Sequence, residues 1–214
     1  MKKVVIFDLD GTTLNTIEGL MGALNYGMSE MGFPKVTKEE MLKSIGNGLV
    51  QLVIRTAKTK DEEIIKKVVY LFIDYYKKHL FDNTYPFDGI IELLKDLKDN
   101  NIQTFILSNK DDFAVKLLSD YFFGYLIDDA VGHKENGSYK PDPVVVDELL
   151  KENNVTSPID EIVYVGDSMP DALTAKNYGM DCIICSWGYG NYEELRNEKI
   201  VNSVAELKDA ILNN

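Results

Sequence analysis

Short apolar runs recur at 3–7, 103–107, around 126–131, 161–165 and 181–185, and helical patterns separate most of them. Continuous apolar runs of this length read as strands covered on both faces. Ile90, Ile91, Leu93, Leu94 and Leu97 carry helical spacing; so do Val144, Val145, Leu149 and Leu150, and Ala172, Leu173, Ala175 and Lys176. Strands alternating with helices imply an α/β fold, a Rossmann-like parallel sheet with helices on both faces. In such folds ligands bind beyond the carboxyl ends of the strands.

One interval breaks the alternation. About ninety residues separate the first run from the second, where a crossover helix needs about a dozen. Ile17, Leu20, Met21, Leu24, Met28 and Met31 form an amphipathic stripe, and a second long helix is expected over 61–81. Between them, Ile45-Gly46-Asn47-Gly48-Leu49 reads as a turn or helix start. The expectation is a helical cap at 16–82, inserted after the first strand and over the strand ends, in an α/β catalytic core made of 1–15 and 83–214. Its Met and Tyr content reads as core of that insert.

Composition narrows the partners. The 214 residues carry a formal net charge of -12, which argues against a nucleic-acid backbone as ligand. A small anionic substrate remains compatible, because one local Lys suffices to bind it. No stretch approaches the roughly 20 apolar residues of a membrane span. The basic start Met1-Lys2-Lys3 leads into a run that stops at Asp8, too short for a secretory segment, so a cytoplasmic location is expected. Cys182 and Cys185, three apart on a strand-like run, face opposite sides and read as reduced core residues. His79 and His133 lack metal-ligand spacing.

Four polar clusters follow or border the runs. The first is Asp8-Leu9-Asp10-Gly11-Thr12, directly after Val4-Val5-Ile6-Phe7. The others are Ser108-Asn109-Lys110, Lys140-Pro141-Asp142-Pro143, and Gly166-Asp167-Ser168-Met169-Pro170-Asp171. Each has a plain reading: an Asp-Gly turn, a helix cap at Ser108 or Asn109, an Asp142-Pro143 helix start, and a capping-box-like Ser168 to Asp171. On one edge of a parallel sheet they gain a shared purpose. Phosphoryl transfer needs a nucleophile, a divalent cation and donors around the phosphoryl oxygens, and a carboxylate can be that nucleophile. Asp8 and Asp167 can supply carboxylates to magnesium, Lys140 can offset charge on the phosphoryl group and on Asp8, and Ser108 can donate a hydrogen bond. Pro141 biases Lys140 toward an extended backbone. No P-loop is present.

These four clusters resemble the motifs of the haloacid dehalogenase superfamily, whose members are mostly phosphohydrolases, and the insert falls where that family carries its helical cap. The resemblance implies Asp8 as nucleophile, Asp10 as general acid and then base, and Ser108, Asn109 and Lys140 as phosphate-binding. It also implies Mg2+ held by Asp8, the Asp10 backbone carbonyl and Asp167, with Asp171 a ligand or a neighbour of one. Gly46-Asn47-Gly48, the Ser108 and Lys140 clusters, and Trp187-Gly188-Tyr189-Gly190 with Glu193-Glu194-Leu195 are similar to phosphoglycolate phosphatases. Thr13 and Asn15 depart from the usual first motif, where Leu and Asp are common. Gly46, Asn47, Gly48 and Arg55 are the cap candidates for substrate contact, Arg55 having an equal reading as a solvated helix charge.

The resemblance implies a magnesium-dependent phosphohydrolase acting on a small phosphorylated metabolite, phosphoglycolate-like or a sugar phosphate, as monomer or homodimer. A β-phosphoglucomutase-like sugar phosphomutase and an inorganic pyrophosphatase share the motifs. A dehalogenase lacks the second carboxylate of the first cluster. A receiver domain is smaller and has no large insert, and a catalytically silent regulatory relative would keep the fold without needing all four clusters.

Overall fold

All four residues of the run Val4-Val5-Ile6-Phe7 are fully buried, as a strand covered on both faces requires. The computed structural model describes residues 1–45 and 48–213. In chain order its elements are β1 (Val4–Phe7), β2 (Leu14–Asn15), α1 (Ile17–Glu30), α2 (Lys38–Ser44), α3 (Gly48–Ala57), α4 (Glu62–Lys78), β3 (Tyr85–Pro86), α5 (Ile90–Asp99) and β4 (Gln103–Asp111). Then follow α6 (Asp112–Phe122), β5 (Asp129–His133), α7 (Val144–Glu152), β6 (Ile162–Gly166), α8 (Met169–Tyr178), β7 (Asp181–Cys185), β8 (Lys199–Val201) and α9 (Val204–Leu212).

The chain divides into two compact units, Met1–Leu14 with Pro86–Asn214, and Asn15–Tyr85. The second unit is wider at both ends than the expected 16–82. The reason is that the two chain crossings pair as a small sheet of β2 and β3, which the sequence pattern does not reveal.

In the first unit the sheet order is β5-β4-β1-β6-β7-β8, and each neighbouring pair is parallel. β1 lies centrally, which explains its uninterrupted apolar run. On one face Val4, Ile6, Phe105 and Tyr164 pack against Val145, Val146 and Leu149 of α7 and Ala175 of α8. The opposite face, where Val5 and Phe7 point, is equally buried, and α5 packs on β4 and on α9. Each such large side chain contributes roughly 1.5–3 kcal/mol by leaving water. This is the α/β, Rossmann-like architecture the alternation implies. β5 begins at Asp129 rather than near 126, because Gly124–Leu126 forms a 3-10 turn.

The second unit is helical. α1 packs along α4, burying Ala23, Leu24 and Met28 on one helix and Val68, Phe72 and Tyr76 on the other. Leu20, Met21 and Met31 of the expected stripe are only half-buried. Thr37 and Glu40 form a capping box that starts α2, and Asp61 accepts from the Glu63 and Ile64 amides to start α4.

Candidate active site

The site is built where the chain leaves β1. The Asp8 amide still donates to Val165 O at 2.8 Å, continuing the ladder to β6. The chain then turns, with the amides of Thr12, Thr13 and Leu14 all reaching Leu9 O. Gly11 adopts φ +87°, and a Cβ there would lie 2.5 Å from Asp167 Oδ2, so turn and carboxylate both require glycine. The turn separates the two carboxylates that a continued strand would have placed on one side.

Asp8 joins Asp167 and Asp171 instead; one carboxylate oxygen from each lies within 4.8 Å of the others, and all three residues are buried. Asp167 follows β6. Its Oδ1 accepts from Thr12 Oγ1 at 3.3 Å and its Oδ2 from the Tyr189 amide at 2.5 Å. The Gly188 backbone passes so close that a Cβ there would overlap the Asp167 side chain. Trp187 Nε1 donates to Thr12 O at 3.1 Å, tying the loop after β7 to the loop after β1.

Lys140 enters from the loop between β5 and α7, and the Lys140–Pro141 peptide is cis. Its Nζ lies 2.8 Å from Asp8 Oδ1 and 2.7 Å from Asp171 Oδ1, and 5.5 Å from the centre of the Tyr164 ring. The contact to Asp8 Oδ1 is a buried ion pair. Asp171 Oδ2 accepts from the amides of Asp167 and Ser168 at 3.2 and 3.0 Å and from Ser168 Oγ at 2.6 Å.

Ser108 is buried at the end of the regular part of β4. The side-chain amide of Asn109, a residue expected to bind phosphate, clamps Lys140, accepting from the Lys140 N–H at 2.7 Å and donating to the Lys140 carbonyl at 3.0 Å. Two neighbouring loops need fixing to one another, and a planar amide carries a donor and an acceptor suited to that.

Asp10 stands apart from the three-carboxylate cluster, with both oxygens 3.0 Å from Lys110 Nζ. In the second unit, Gly46 and Asn47 lie outside the described residues. Gly48 opens α3 with φ +80°, and Arg55 donates to Ser44 O at 3.0 Å, in the last turn of α2. Thr13 Oγ1 donates to Asp8 O at 3.1 Å, and Asn15 Nδ2 to Tyr85 OH at 3.2 Å, so both departures from the first motif have local partners.

Charge decides what the cluster can do. Burial pushes the Asp8 carboxyl up to about 6, with Lys140 pulling it down and Asp171 pushing it up. Burial also raises Asp167 well above the carboxylate range, helped by Asp171 and Asp8 and opposed by the Tyr189 amide. Burial alone would lower Lys140, but Asp171 and Asp8 outweigh it and hold its pKa well above the usual lysine value. Lys140 offsets one negative charge where three carboxylates converge. A further cation would relieve the excess, and hard carboxylate oxygens suit magnesium. The buried carboxylate oxygens of Asp8 and Asp167, drawn together beside Asp171, fit such a role. Asp171 has Oδ1 on Lys140 and Oδ2 on three donors, which fits a neighbour of the metal rather than a ligand.

Local sequence pattern assigns no role to Thr12, Lys110, Tyr164 or the Tyr189 amide. The glycines flanking Tyr189 were the available signal. Cys185 is buried, as expected for a core cysteine, whereas Cys182 is half-buried; burial raises both thiol pKa values.

A parallel α/β sheet with a carboxylate–lysine cluster at its strand ends defines a class, and comparison with known proteins names it. The chain belongs to the haloacid dehalogenase-like hydrolases, whose family model matches residues 5–185. It is 29% identical over 219 residues to a phosphoglycolate phosphatase of Pseudomonas savastanoi pv. phaseolicola, covering 99% of this chain and 79% of that one. It is also 29% identical to the phosphoglycolate phosphatase of Aliivibrio fischeri, covering 90% of this chain and 88% of that one. A crystal structure of a predicted phosphoglycolate phosphatase from Lactobacillus delbrueckii subsp. bulgaricus superposes with TM-score 0.92 at 33% identity, over 100% of both chains. The chain is thus a phosphatase, similar to phosphoglycolate phosphatases.

Proposed function

We propose that the chain is a magnesium-dependent phosphohydrolase that cleaves a small phosphomonoester through an aspartyl-phosphate on Asp8. The observation that carries this reading is Lys140 Nζ held between Asp8 and Asp171, beside Asp167, at the carboxyl edge of the sheet. The residues fit a magnesium ion, which Asp8, the Asp10 carbonyl and Asp167 would hold and which would neutralise charge on the phosphoryl oxygens.

An Asp8 carboxylate oxygen attacks phosphorus, and the bond from phosphorus to the ester oxygen breaks. Asp10 gives its proton to the departing oxygen. Lys140 and the Ser108 hydroxyl hold the phosphoryl oxygens, while Asn109 fixes the Lys140 backbone. Asp10 then takes a proton from water as that water attacks the phosphorus of phospho-Asp8, releasing inorganic phosphate and restoring the carboxylate. Asp171 orients Lys140 and the start of α8.

The similarity to phosphoglycolate phosphatases supports a small, anionic, phosphorylated metabolite as substrate. In this reading Asn15–Tyr85 is the helical cap unit, the part of the chain expected to select the substrate. The test is phosphate release from phosphoglycolate, sugar phosphates, pyrophosphate and glucose 1-phosphate, with and without magnesium. Magnesium-dependent release from phosphomonoesters, abolished in Asp8→Asn, is expected. Isomerisation of glucose 1-phosphate without phosphate release would replace this reading with a mutase.

A further inference from the structure

Asp10 is the one carboxylate of the first motif that the buried cluster does not hold. Both its oxygens lie 3.0 Å from Lys110 Nζ. The Lys110 side chain is 7% exposed and that of Asp10 is 20% exposed. Elsewhere in the chain, lysines of pairs such as Lys43–Glu39 and Lys151–Asp147 are more than two-thirds exposed, at 72% and 74%. Those are solvated helix pairs of little net effect. A nearly buried lysine facing an aspartate one hundred positions away is a different device. Ordering its long stem costs side-chain entropy, so its geometry must be fixed by what surrounds it.

The backbone around Lys110 is pinned on both sides. Its amide faces Ser108 Oγ at 3.4 Å. The pairing of β4 with β5 shifts register between Leu107 and Asp111, turning this stretch out of the regular ladder. Asn109 holds the Lys140 loop, and Asp111 Oδ1 accepts from the Ala114 amide to start α6. Lys110 therefore projects from a short segment whose two neighbours are each anchored elsewhere.

We propose that Lys110 is a positioning residue for Asp10: it faces both oxygens of the carboxylate and, when Asp10 carries a proton, keeps one of them, so that the side chain stays clear of the Asp8–Asp167–Asp171 cluster and its other oxygen faces the ester oxygen that leaves. The proposal rests on the reading of Asp10 as the proton donor and acceptor. Asp10 follows the turn at Leu9, two residues from a site crowded with carboxylates that repel it. Without a cation on its own side, an aspartate there has several rotamers and few of them productive.

The experiment compares wild type, Lys110→Met, Lys110→Gln, Lys110→Arg, Asp10→Asn and the Asp10→Asn/Lys110→Met double variant. The readouts are kcat/KM over phosphate esters whose leaving groups run from activated phenols to simple alcohols, and the inhibition constant of inorganic phosphate. Lys110→Gln carries the test if Lys110→Met does not fold. Asp10→Asn is expected to lose most on alkyl esters and least on activated aryl esters, because only poor leaving groups need the proton. The neutral Lys110 variant should repeat that trend with a loss of about 10- to 100-fold on alkyl esters, a fraction of a full acid–base contribution. Phosphate inhibition should be unchanged, Lys110→Arg should recover much of the rate, and the double variant should be no worse than Asp10→Asn.

Three outcomes overturn the proposal: a uniform loss across the series, a change confined to phosphate inhibition, or full additivity in the double variant. If Asp10→Asn itself shows no leaving-group trend, the acid–base reading of Asp10 fails. If it does and the Lys110 variants do not, only the positioning role fails.

Discussion

Lys140 lies 4% exposed between two buried carboxylates, Asp8 and Asp171. Removing one partner of a buried charge network strands the others, which typically costs about 3–5 kcal/mol. Lys140→Met is therefore expected to lower stability by about 3 kcal/mol or more near pH 8, and by less near pH 5, where Asp8 is able to protonate. Urea titrations at the two pH values check this. The Asp8 carboxyl, pushed up to about 6, has its folded pKa above its ordinary unfolded value of roughly 3.9. The folded state thus holds that proton more tightly, and its contribution is present below about pH 4 and lost as pH rises to about 6. Asp167 is shifted in the same direction, and Lys140 stays charged throughout this window. In metal-free protein the site's contribution to stability should fall across that window. Asp8→Asn should flatten the fall; an unchanged slope in urea midpoints against pH would contradict the assignment. At this scale, Asp8, Ser108 and Asp167 stand out in the sequence because each follows an apolar run, and Lys140 because it opens the Lys140-Pro141-Asp142-Pro143 cluster. Lys110 and the Asn109 clamp do not, since nothing in local spacing says that position 110 faces position 10 or that 109 faces 140.

Among the elements, the loops carry the function and the strands aim them. The five apolar runs and the helical spacings made β1, β4, β5, β6 and β7 readable with α5, α7 and α8, because burial on both faces leaves a continuous apolar signature. β8 is three residues, Lys199–Val201, too short to produce one, and β2 and β3 are two residues each. The loop after β7 shows in the sequence only as the Trp187-Gly188-Tyr189-Gly190 pattern. Its role came from backbone: the Tyr189 amide donates to Asp167, and the close passage of Gly188 allows it. Gly188→Ala should displace the Asp167 carboxylate. We predict a loss of magnesium affinity of about 10- to 100-fold, the range typical of disturbed ligand support, measured by activity against magnesium concentration. An unchanged magnesium dependence would show that the loop does not set the carboxylate's position.

At the scale of the whole molecule, the chain carries a net charge of -12, and three buried carboxylates converge at the carboxyl edge of the sheet. A ligand that binds only the folded state stabilises it by mass action, about 2.7 kcal/mol at a hundredfold excess over its Kd. Magnesium should therefore raise the melting temperature, more at pH 7 than at pH 5, where protons compete for Asp8 and Asp167. A chelator should reverse the shift, and Asp8→Asn should shrink it; equal shifts in wild type and Asp8→Asn would place the ion elsewhere. The long interval after the first strand is the sequence feature that suggests a helical insert, and the structure divides at Leu14 and Pro86. The substrate was not legible, because specificity resides in side-chain directions that pattern does not encode. The central claim is covalent catalysis by Asp8, and rapid acid quench during turnover of an activated aryl phosphate, followed by peptide mass spectrometry, tests it most directly. The account predicts one phosphoryl group on the peptide containing Asp8, more abundant in Asp10→Asn, where hydrolysis of the intermediate is slowed. Sustained turnover with no phosphate on that peptide in either protein, or with phosphate on another residue, would contradict it.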